Sequence, residues 1–133
     1  MLVYCSDWCG DCVRQMPMLE KIAAGVGPDL EMRIIDREES QALKDELRLV
    51  GAMRVPVVVF LSEDFHEVGR VGDRLLTAYR RKRMTETGDA CSTGLIPPSG
   101  EELAAEMAEW VDVVERMLLM LRLSPTLRQR YED

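Results

Sequence analysis

Histidine is nearly absent: His66 is the only one among 133 residues. With no second histidine, a metal site of mixed cysteine and histidine ligands is disfavoured, and no metal is expected. His66 falls in a hairpin turn and reads as a surface residue. Net positive charge is lacking too: 17 lysines and arginines face 24 acids. The net charge is −7, and binding to nucleic-acid phosphates needs clustered positive charge. The one basic run, "YRRKR" from Tyr79 to Arg83, reads as a solvated helix face or loop. Long apolar stretches are missing too. "WVDVVERMLLMLRL", Trp110 to Leu123, is too short to span a bilayer and carries Asp112, Glu115, Arg116 and Arg122. Met1 runs straight into "LVYC", without a basic start or a cleavage site. The expectation is a soluble, cytoplasmic protein with no nucleic-acid or membrane partner. Cysteines number only four, too few in a chain this long for a secreted disulfide scaffold.

A chain of this size buries roughly two-thirds of its unfolded surface, so a core needs no disulfide or metal to hold it. One domain over 1–133 is expected. "LVYC" is a short strand. An apolar-periodic helix follows to about Ala24, ended by "GVGPD". "LEMRIID", Leu30 to Asp36, alternates as a strand does. A second helix is expected from about Glu38, with Leu43, Leu47 and Val50 on one face and Gly51 as its stop. "VPVVVFL", Val55 to Leu61, suits a strand covered on both faces, and "HEVGRVG" its antiparallel partner. Residues 73–100 read as an insertion or extension: "DRLLTAYRRKRM" looks helical, and Thr87 to Gly100 look like a loop containing Cys91. Ser99 and Glu102 form a capping box for a last helix. Its apolar face is Leu103, Met107, Trp110, Val114, Met117, Leu118 and Leu121. The order β-α-β-α-β-β-α implies an α/β fold around a mixed central sheet flanked by helices.

"YCSDWCGDC" holds three of the four cysteines. An exchanging dithiol needs an exposed attacking thiol and a second thiol in reach. A helix N-terminus favours the thiolate of the first. The strand-to-helix reading puts Cys9 at such a terminus and Cys12 on the same face one turn later. Gly10 lets the turn tighten, and Trp8 forms an apolar wall beside the sulfur. Asp7 and Asp11 bring opposing negative charge. Cys5 ends a buried strand and reads as a small core residue.

"WCGDC" with Pro17 five residues after Cys12 resembles the active-site helix of the thioredoxins. A Gly-x-x-x-x-Pro segment, Gly51 to Pro56, agrees, as does Gly72 sixteen residues beyond that proline. The similarity is greatest to bacterial thioredoxin-like proteins with a WCGDC motif. It implies a thioredoxin-like fold that lacks the leading strand and helix of full thioredoxin. It also implies Cys9 as attacking thiol, Cys12 as resolving thiol, and a cis Pro56 facing the pair. The Val55 main chain would then pair with an extended substrate. Two departures stand out. Val3 occupies the place of a buried acid, and Asp11 the place of a proline.

The implied activity is a thiol–disulfide oxidoreductase, a protein-disulfide reductase, with the Cys9–Cys12 pair as its redox centre and no separate cofactor. Its partners are a disulfide-bearing protein and a reductant, with a homodimer through the C-terminal helix as a further partner. The alternative is a non-enzymatic thioredoxin-fold interaction module whose partner surface is residues 73–133. A third reading takes C-x3-C-x2-C as an iron–sulfur cradle. It resembles the radical-SAM signature, which wants an aromatic residue where Asp11 stands.

Overall fold

The computed structural model describes residues 1–84 and 97–133. Four strands form one sheet: β1 Leu2–Cys5, β2 Arg33–Asp36, β3 Val57–Leu61 and β4 Glu67–Gly72, in the spatial order β2-β1-β3-β4. β1 runs parallel to β2 and antiparallel to β3, and β3 is antiparallel to β4. The sheet is therefore mixed. Its two central strands carry the most apolar sequence. Val3, Tyr4 and Cys5 of β1 are buried, as are Val57 to Phe60 of β3. Both faces of β3 are covered, which explains a β-branched run with no alternation.

Helix α1, Gly10–Val26, connects the parallel pair and buries Leu19 and Ile22 on the sheet. Its C-cap is Gly27, at φ 79°, a conformation that costs glycine least. Helix α2, Gln41–Glu46, is capped by Ser40, whose hydroxyl accepts from the Leu43 amide. Helix α3, Leu76–Met84, and helix α4, Gly100–Arg122, pack against each other, and α4 also packs on α1 and β4. Both halves of the capping box form: the Ser99 hydroxyl accepts from the Glu102 amide at 3.2 Å, and the Glu102 carboxylate from the Ser99 amide at 2.6 Å. Helix α5, Pro125–Tyr131, was not anticipated; the Leu123–Pro125 stretch ends α4, and Ser124 caps a new helix with proline at its first position.

Three expectations of local structure need correction. The second helix stops at Glu46, so Val50 is not on its face. Val50 is 97% exposed at φ 52°, beside Gly51 at φ 75° in a tight turn closed by Leu49 and Ala52. Two consecutive left-handed residues cannot continue a helix. β2 is also shorter than Leu30–Asp36, because the 3₁₀ turn Gly27–Asp29 delays pairing until Arg33. β3 starts after Pro56 rather than at Val55. Cys91 and residues 87–96 of the expected loop lie outside the described residues.

Gly72 is explained by space. A Cβ there would lie 2.9 Å from Leu49 Cδ1 and 3.1 Å from the Pro56 carbonyl oxygen, so the end of β4 packs flush on the loop before β3. Trp110 of α4 is the largest side chain in the core, with Val114 one turn on. Trp110→Ala is expected to lower unfolding free energy by about 3–5 kcal/mol in urea denaturation. A loss below about 1 kcal/mol would mean that α4 does not help close the core.

Candidate functional site

The turn after β1 sets the dithiol. The Cys9 amide donates to the Ser6 carbonyl at 3.3 Å, closing the turn, and Cys9 becomes the N-cap of α1 at φ −88°, ψ 117°. Gly10 is the exposed first residue of the helix. Cys9 and Cys12 lie one helical turn apart, close enough for each thiol to act on the other. The Cys9 Sγ also donates to the Val55 carbonyl at 3.6 Å. The Val55–Pro56 peptide bond is cis, and both residues are buried. The two sequence-distant motifs, residues 8–12 and 55–56, thus meet at one sulfur.

One property differs from expectation. Cys9 is only 2% exposed, whereas an attacking thiol was expected at the surface. Its place between the helix turn and the Val55 strand entry accounts for the burial. Cys12 is 1% exposed, and burial pushes its thiol well above the ordinary range. An amide N–H from Ser6 pulls the other way, and the neighbouring Cys9 adds to the rise. Burial also raises the Cys5 thiol, with Asp36, Cys9 and Asp7 contributing. Cys5 therefore lies in the electrostatic range of the pair while ending β1, as expected of a core residue. Among the described residues, no three histidine, cysteine, aspartate or glutamate side chains gather as metal ligands. Val3 is fully buried and brings no acid to the thiols.

Trp8, next to Cys9 in sequence, is 62% exposed. Its ring is held by the Arg37 guanidinium, 5.1 Å from the ring centroid. Asp11 is the larger correction. It is not a free charge beside the thiols but a buried residue, 2.9 Å from Arg14 and 2.7 Å from Arg74. Arg14 also reaches Glu106 at 2.9 Å, and Glu106 reaches Arg81 at 3.1 Å. Arg74 lies 3.5 Å from Asp73, which also bonds Arg54 at 3.2 Å and the Tyr79 hydroxyl. Gln15, buried on α1, donates to the Asp73 carbonyl at 3.1 Å.

Sequence reading missed Arg14, Gln15, Arg54, Asp73, Arg74, Tyr79 and Glu106. One signal was available. Glu106 lies three residues after Leu103 and four before Trp110, within the apolar face of α4. A carboxylate there must be buried and paired. Arg81 corrects the reading of "YRRKR" as only a solvated face.

The family model described as Thioredoxin matches residues 1–78. The chain belongs to the thioredoxin family. The match ends inside α3, so α4 and α5 of this thioredoxin-family protein lie beyond it. Neither the curated proteins nor the solved structures gave a match. Family membership points to thiol–disulfide redox chemistry in general. Among the described residues, no helix is long and apolar enough to cross a membrane.

Asp73 yields a pH test. Burial opposes its charged form, but the Tyr79 hydroxyl, a backbone amide, Arg74 and Arg54 together hold the carboxyl below its ordinary value. A carboxyl depressed by folding adds stability above its unfolded pKa and loses it as pH falls through the folded one. Asp73→Asn should therefore cost about 2 kcal/mol at neutral pH and clearly less at about pH 3, below the ordinary carboxyl value. Urea denaturation at both values measures this. An equal cost at both would assign the loss to shape rather than charge.

Proposed function

We propose that this chain is a thiol–disulfide oxidoreductase, acting as a protein-disulfide reductase through a mixed disulfide on Cys9. The observation that carries the reading is the convergence of Cys9 at the N-cap of α1, Cys12 buried one turn on, and the Val55 carbonyl 3.6 Å from the Cys9 Sγ. A helix N-terminus stabilises a thiolate through its unpaired amides and the positive end of its dipole.

The Cys9 thiolate attacks one sulfur of a substrate disulfide. A Cys9–substrate disulfide forms, and the other substrate sulfur leaves as a thiolate and takes up a proton. Cys12 then gives up its proton and attacks the Cys9 sulfur. The second substrate sulfur departs, and the Cys9–Cys12 disulfide remains. Two electrons pass from the pair to the substrate, and a reductant of thiol or dithiol class returns them. Before attack, the Val55 main chain pairs with an extended substrate segment, as in strand addition. Arg37 holds the exposed Trp8 ring beside the entry to Cys9, where it offers an apolar platform for the substrate. No further cofactor is needed. The reading places the protein in a cytoplasm, where thiols stay mostly reduced.

Cys12 sets the pace of the second step. Burial keeps its thiol protonated at neutral pH, and only the thiolate attacks. Release of the mixed disulfide should therefore accelerate about tenfold per pH unit on the alkaline side of neutrality. Cys12→Ser should trap the mixed disulfide with a protein substrate, and intact mass spectrometry reads the adduct on Cys9. An adduct that still releases in Cys12→Ser at the wild-type rate, or none formed at all, contradicts the mechanism.

A further inference from the structure

The charges beside the dithiol are shared in a definite order. Arg14 and Arg74 contact different oxygens of Asp11, at 2.9 Å and 2.7 Å. Each of these arginines is shared with a second acid: Arg14 with Glu106 at 2.9 Å, and Arg74 with Asp73 at 3.5 Å. Asp11, Arg74 and Glu106 are exposed by only 5%, 8% and 0%. Water screens these charges weakly, so the division of each arginine between two acids fixes how much of the Asp11 charge remains. Asp11 adjoins Cys12 and lies two residues from Cys9.

We propose that Arg74 and Glu106 are positioning residues that set the reduction equilibrium of the Cys9–Cys12 pair by fixing how far Asp11 is neutralised. The proposal rests on the dithiol reading above. Glu106 draws Arg14 partly away from Asp11, and Arg74 supplies the opposing positive charge. The reduced pair carries thiolate character that the disulfide lacks, so a more positive surrounding favours the dithiol and a more negative one the disulfide. The two residues thus act with opposite sign. Glu106 belongs to α4, so a helix beyond the family-matched segment acts on the redox centre.

The test equilibrates the full chain with mixtures of reduced and oxidised glutathione at about pH 8.5, near the ordinary thiol range. Acid quenching, alkylation and mass spectrometry then give the fraction of Cys9–Cys12 disulfide. Glu106→Gln should shift the equilibrium constant toward the dithiol by about threefold or more, and Arg74→Met toward the disulfide by a similar factor. The double variant Asp11→Asn/Arg74→Met removes both charges and should return within about twofold of wild type. A merely structural role predicts lower stability in all three with no opposed shifts and no restoration. Shifts of one sign, no shift, or a double variant left as displaced as Arg74→Met overturn the proposal. If Arg74→Met does not fold by circular dichroism, Glu106→Gln and Asp11→Asn decide. Both must move toward the dithiol, and no movement in either overturns it. A wild-type chain that forms no Cys9–Cys12 disulfide at any glutathione ratio defeats the dithiol reading itself, and the proposal falls with it.

Discussion

The site depends on one constraint: Asp11, in the first turn of α1, is buried and must be paired. Arg74, from the loop after β4, and Arg14, bound in turn to Glu106 of α4, meet that need. Moving such charges out of water costs several kcal/mol per ion. Removing one partner of a buried pair typically costs about 3–5 kcal/mol. The first turn of α1, the end of β4 and the middle of α4 are therefore fixed to one another. That fixing keeps Cys9 against the Val55 carbonyl, because Val55 and Pro56 lead directly into β3, which pairs with β4.

This arrangement changes the meaning of the acid between the two cysteines. A negative residue next to a thiol opposes its ionisation when it is free. Here two guanidinium groups hold it, so its field at the dithiol is a residue left after neutralisation. The buried valine at position 3 brings no acid of its own to that field. Electrostatic control of the pair then falls to side chains far away in sequence, among them one on a helix outside the segment that matches the family.

Much of the fold was legible because local signals agreed. Two apolar strands, a strand-to-helix turn at Cys9, a hairpin and a capping box at Ser99 all formed where their residues indicated. The dithiol was legible from its spacing, because residues at i and i+3 share a helix face. Local signals failed where tertiary demands decided. Val50 fits a helical period, but a left-handed turn at Val50 and Gly51 takes it out of the helix. Asp11 and Arg74 are polar and look like surface residues one by one, and Glu106 stands out only by its place in the apolar face of α4. Their burial depends on pairs between distant parts of the chain, Asp11 with Arg74 and Arg14 with Glu106, the latter 92 positions apart, and no local pattern names those partners.

The central claim is that the Cys9–Cys12 pair turns over as a protein-disulfide reductase. The most direct measurement is catalysed reduction of a disulfide-bonded protein such as insulin, with dithiothreitol as the electron source, for wild type and Cys9→Ser. The account predicts turnover well above the uncatalysed rate in wild type and none above it in Cys9→Ser. Equal rates for the two proteins would contradict it and leave the fold as a binding scaffold.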